Sequence, residues 1–162
     1  MSRFPRSRVN GANQDYGPWV AYAAASWAFV FALFHAACAT GWHIGFDREF
    51  ARRAFAKTWF LAYDLAVMVM CLVAVGVALA PVRPWGRRVP RGALGVLAWG
   101  GTALLMWRAT GSIVQLVYQI VSGSFVARAM LVWEAWFYVG AILFGVSTWR
   151  FWTVPRRSSV AR

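Results

Sequence analysis

Four ionisable residues stand where the sequence has least room for charge. His35, Asp64, Arg108 and Glu134 each interrupt one of four long apolar runs. Arg108 opens a polar series in which Ser112, Gln115, Gln119 and Ser122 follow at spacings of four, three, four and three. Those intervals mark one face of a helix. Two carboxylates, a guanidinium and an imidazole support several chemistries. Asp64 and Glu134 could accept protons, and Arg108 could hold an anion or bridge both carboxylates with its planar fork. His35 is the residue type that changes charge near neutral pH. With His35 protonated the set is close to neutral, and otherwise it carries one net negative charge. Tyr138, four residues beyond Glu134, shares its helical face and could donate a hydrogen bond there. Met68 and Cys71 share the Asp64 face and read as core packing.

The elements that carry these residues follow from composition. The chain has 162 residues, is 60% hydrophobic and 14% charged, and has a mean hydropathy of +0.52. A soluble domain of that length carries more charge. Apolar runs of about twenty residues match the thickness of a bilayer core. The expected fold is all-α, an integral membrane four-helix bundle with spans at about 19–40, 58–80, 92–112 and 129–149. They form one membrane domain over 19–152, between a basic N-terminal tail (1–18) and a basic C-terminal tail (153–162). The first run is longer than a signal-peptide core and carries His35 near its end, so it reads as an uncleaved anchor. Phe46, Phe50, Ala51, Ala54 and Phe55 suggest a short amphipathic piece at the interface. The stretch Ala80–Gly92 holds three prolines and four arginines and reads as a turn. Residues 113–122 either extend the third span or bend at Gly111 and lie along the interface.

Charge placement gives an orientation and a common depth. The N-terminal tail, the middle loop and the C-terminal end from Arg150 onward hold eleven arginines together. The other two loops hold five basic residues, offset by Asp47 and Glu49. Both termini are therefore expected in the cytoplasm, in a multi-pass protein of the cell inner (plasma) membrane of a bacterium. Trp19 to His35 is sixteen residues, Asp64 to Arg83 nineteen, Arg91 to Arg108 seventeen and Glu134 to Arg150 sixteen. At 1.5 Å per residue each is a rise of roughly 24 to 28 Å, so alternating spans bring all four ionisable residues to one level near the outer leaflet. Charge inside a bilayer costs about 2.5 to 3.5 kcal/mol per residue, so these residues either pair for structure or mark a function.

Several functions are disfavoured. The net charge of +12 lies in tails and loops beside apolar runs, which points to the lipid bilayer as partner and not to nucleic acid. Cys38 and Cys71 lack metal or redox spacing, and about 10 Å of axial offset separates them. No phosphate-binding glycine loop, serine elbow, haem pair or metal motif is present, so no cofactor, metal or catalytic residue is assigned. The leading expectation is a layer of His35, Asp64, Arg108, Glu134, Gln115 and Gln119 that binds or conducts a small solute or proton. Two alternatives stay open. One is a membrane enzyme acting on a lipid with Glu134 or Asp64 as general acid or base. The other is a structural or assembly subunit whose charges pair internally or with a partner span.

Three stretches resemble a known family. They are AYAAASWAFVFALFHAACATGW, with its His-x4-Thr-Gly end, PVRPWGRRVPRG, and LAWGGTALLMWRATG with its arginine. The chain resembles a family of small four-span bacterial membrane proteins, domain of unknown function 3995, over much of Ala21 to Gly111. The resemblance implies four spans and no assigned activity.

Overall fold

The computed structural model describes residues 18–42, 48–122 and 128–153. These form helices α1 (Trp19–Ala39), α2 (Arg48–Phe55), α3 (Thr58–Leu79), α4 (Arg91–Val121) and α5 (Arg128–Thr153), with a 3-10 turn over Pro84–Arg88. No strand occurs among the described residues. The tails apart from Pro18 and Thr153, the loop segments 43–47 and 123–127, and the side chains of Arg48, Phe50, Gln119 and residues 128–131 lie outside this description.

Local chemistry sets the helix ends. Alanine fills much of α1 and is the residue that costs a helix least. Its end is a Schellman motif: Trp42 N–H donates to Ala37 O at 2.9 Å and Gly41 N–H to Cys38 O at 3.0 Å. Gly41 takes φ +96° there, which a side chain would disfavour. Pro81 and Pro84 stop α3, because proline lacks the N–H a helix needs. The turn folds back so tightly that a Cβ on Gly86 would strike the Ala80 carbonyl. Beyond Pro90 the chain re-enters a helix that passes Gly111 without a break. Thus 113–121 extends α4 and does not form a separate surface segment. At 31 residues α4 is about 46 Å long. The amphipathic piece appears as α2, where Glu49 receives Arg52 and Arg53 at 2.9 and 2.8 Å on an exposed face. Ala51 is buried, and Phe55 meets Phe60 of α3 edge-on.

Contacts between helix ends give the topology. The Arg83 guanidinium beyond α3 lies over the Tyr22 ring at the start of α1. Arg91 at the start of α4 lies over Phe151 and Trp152 at the end of α5. Consecutive long helices therefore run antiparallel. The closest packing is α1 on α3 and α4 on α5, α1 also packs on α5, and α3 meets α4 only lightly. Trp27 ties α1 to α5. Its indole stacks on Trp136, donates to the Trp136 carbonyl at 3.1 Å, and lies against Gly140, where a Cβ would clash with the ring. Ala24, Ala28, Phe31 and Phe144 complete this core.

Along α3 the distribution of polarity departs from that of a helix on a water-soluble protein. On α3 the buried residues are Asp64, Cys71 and Ala78, while Leu65, Val69, Met70, Leu72 and Val73 are exposed. Thr102, Ser112, Glu134 and Thr148 are buried as well. Two described helices, α1 and α3, are long and apolar enough to cross a membrane by length and composition. Helices α4 and α5 have the length, but Arg108 and Gln115 in one and Glu134 and Arg150 in the other dilute their apolar character.

Candidate functional site

The antiparallel order brings the late turns of α1 level with the early turns of α3, and the middle of α4 level with the early turns of α5. His35 and Asp64 meet across the first junction. His35 Nδ1 and Asp64 Oδ1 share a hydrogen bond of 2.6 Å. The two side chains are 12% and 6% exposed. This is a short, desolvated pair.

Arg108 and Glu134 meet across the second junction. Arg108 Nη1 and Glu134 Oε1 are 3.6 Å apart, close enough for an ion pair but too long for a hydrogen bond. The carboxylate is 9% exposed and the guanidinium 49%. Ser112, one turn on, accepts a hydrogen bond from Arg108 Nη1 and gives its own proton to the Arg108 carbonyl at 2.9 Å. The guanidinium also lies 4.5 Å from the centroid of the Phe137 ring. Arg108 therefore does not bridge the two carboxylates. Its fork would need Asp64 and Glu134 on adjoining helices, and α3 and α5 are not packed together.

Aromatic rings fill the space between the pairs. Phe31 meets His35 edge-on at 4.7 Å and Phe137 at 5.5 Å. Phe34 contacts His35 at 5.6 Å and Trp133 at 4.6 Å. The rings connect His35 to the ring under Arg108, so the four ionisable residues occupy one layer as two separate pairs. Sequence reasoning passed over these rings. Their signal was present: Phe31 lies one turn before His35 and Phe34 immediately before it, and Trp133 and Phe137 flank Glu134.

The remaining candidates are placed less centrally. Gln115 is exposed, and the side chain of Gln119 lies outside the described residues. Tyr138 is half-buried and donates to none of the described residues. Met68 and Cys71 pack in or against the core. Cys38 and Cys71 are both buried and free. Among the described residues no group of three His, Cys, Asp or Glu is arranged to hold a metal ion.

The layer holds unused hydrogen-bonding capacity. His35 Nε2, Asp64 Oδ2, Glu134 Oε2 and Trp136 Nε1 are buried with no partner among the described residues. Buried polar atoms are normally satisfied, since an orphan costs about 1 to 3 kcal/mol. Two carboxylate oxygens and an imidazole nitrogen at one depth can take up a proton or receive a small hydrogen-bonding molecule. Compared with protein-family models, curated proteins and solved structures, the chain matches none of them.

Proposed function

We propose that the chain is a multi-pass protein of the bacterial inner membrane, a four-span bundle with both termini cytoplasmic, whose layer of two ion pairs binds a proton or small polar solute. Membership in the four-span family that its first span resembles is part of the same proposal. The observation that carries the reading is the orphaned capacity at Asp64 Oδ2, Glu134 Oε2 and His35 Nε2. Pairs that served packing alone would have those atoms satisfied. Support for the membrane comes from the apolar exterior of α3 wrapped around a buried aspartate.

The test is proton movement. The purified chain is reconstituted into vesicles holding a pH-sensitive dye, and the outside is acidified. Internal acidification faster than in protein-free vesicles is expected, falling to the protein-free rate in Asp64→Asn and Glu134→Gln. Wild-type protein that behaves as empty vesicles, and that no small carboxylate or amine stabilises against heat, sinks the reading. A topology reporter that functions only outside the cytoplasm, fused to the C-terminus, should be silent.

A structural role is the second reading, favoured by one observation: each pair joins two helices that already pack closely. Arg108→Ala, Glu134→Gln and their double variant separate the two. A double variant as stable as wild type beside two poor singles assigns the pair to structure.

A further inference from the structure

Helix α4 carries a second packing face that its own chain leaves uncovered. The face used inside the bundle runs through Ala98, Thr102, Leu105, Ala109 and Ser112, at spacings of four, three, four and three, each of them buried or half-buried. On the far side Ala103, Trp107, Thr110, Val114, Val117 and Val121 follow at four, three, four, three and four, and every one is exposed. Alternating intervals of three and four make the seam of a coiled coil, along which two helices stay in register. Arg108 and Gln115 each follow a seam residue by one place, which turns them about 100° away from it. No charge falls in the seam.

Length decides what can cover this seam. Counted from the polar layer, α1 ends four residues further out, α3 and α5 begin six residues out, and α4 continues for thirteen. The last seven residues of α4 therefore project about 10 Å past every other long helix. A hydrocarbon core of about 30 Å that starts at Arg91 is spent near Gly111. Lipid tails cover the seam as far as Trp107 and leave Val114, Val117 and Val121 above them. Val121 is 81% exposed, and the neighbouring Tyr118 and Ile120 are exposed as well. What covers them is protein, with an apolar strip that starts inside the bilayer and continues out of it. The seam of another α4 has that form and that length.

We propose that a second copy of this chain occupies the seam, the two α4 helices running parallel about a twofold axis along the membrane normal. The proposal rests on the membrane reading above, since two copies in one membrane share an orientation and like helices side by side are then parallel. Residue sizes fit the arrangement. In a parallel pair each seam residue enters a hole bordered by its own counterpart and by the seam residues before and after it. Around Trp107 those are Ala103 and Thr110, small enough to leave room for an indole. Val114 and Val121 repeat the Trp107 position at intervals of seven, where β-branched side chains favour two strands. Trp107 is 81% exposed and offers roughly 200 Å2, about a quarter of what one partner contributes to a stable interface.

Cysteine cross-linking of the full chain in vesicles tests it. Under mild oxidation Val114→Cys and Val121→Cys should each form a disulfide-linked dimer at least about tenfold faster than Gln115→Cys, which is exposed but turned off the seam. Wild type is the control, because Cys38 and Cys71 are buried. Subunit counting by single-molecule photobleaching reads the unmodified seam. Wild type diluted in lipid should give two subunits per spot, and Trp107→Ala with Val114→Ala mostly one. Equal cross-linking rates for the three cysteine variants, or any count other than two for wild type, overturns the proposal. The wild-type count stands even where a variant does not fold. A chain that alkaline washing strips from the vesicles refutes the membrane reading, whereas an inserted chain that stays monomeric refutes the dimer alone.

Discussion

His35–Asp64 and Arg108–Glu134 occupy the same layer, join the same kind of antiparallel neighbours, and are built in opposite ways. The first is short and closed, at 2.6 Å with both side chains nearly out of reach of solvent. The second is loose, at 3.6 Å with its guanidinium half-exposed. Protonation chemistry explains the difference. A histidine and an aspartate can both become neutral by passing one proton between them, so the pair can be buried without a fixed charge. An arginine stays charged in any environment. Arg108 therefore keeps one side open and spreads its charge over Ser112, Phe137 and Glu134. Under the proposed function, the closed pair is the one that would hold a proton and the open pair the one that would admit a solute.

The largest effect should come from breaking the closed pair. Asp64→Ala leaves buried His35 without its hydrogen-bond partner, and unfolding in mixed micelles should show a loss of about 3 kcal/mol. Glu134→Ala should cost less, about 1 to 2 kcal/mol, because Arg108 keeps Ser112 and can turn its head towards water. Equal losses for the two variants would break the comparison. Arg108→Lys is expected to cost about 1 kcal/mol, since an ammonium does not reproduce the stacking of a guanidinium on the Phe137 ring. Full stability in that variant would mean the ring contributes nothing. The smallest effect is the coupling between pairs. A double-mutant cycle of Asp64→Asn with Glu134→Gln should leave under about 0.5 kcal/mol of interaction energy, as for sites with no shared partner. A larger value would make the aromatic layer an energetic link and the four residues one unit.

Much of the helical framework was legible in the residues. Apart from the end of α4, the helices begin and end within a few positions of the apolar runs, because Pro81, Pro84, Pro90 and the Thr40–Gly41 end act on the backbone locally. The common depth of His35, Asp64, Arg108 and Glu134 also followed from counting, since rise per residue is constant along a helix. The fate of 113–121 was less legible. Gly111 allows a bend, and only the continuous backbone of α4 removes it.

What the sequence by itself determined is an all-helical chain with charge at one level of its apolar segments, both being properties of single segments. Only the tertiary structure decided which charge meets which. Two cations and two carboxylates at equal depth admit several pairings, and the choice depends on how each helix is rotated about its axis. That rotation is set by Trp27 seated on Gly140 and by Phe31 against Phe137, contacts between segments more than a hundred residues apart. The same packing that separates Arg108 from Asp64 leaves the Asp64 and Glu134 oxygens unpartnered among the described residues.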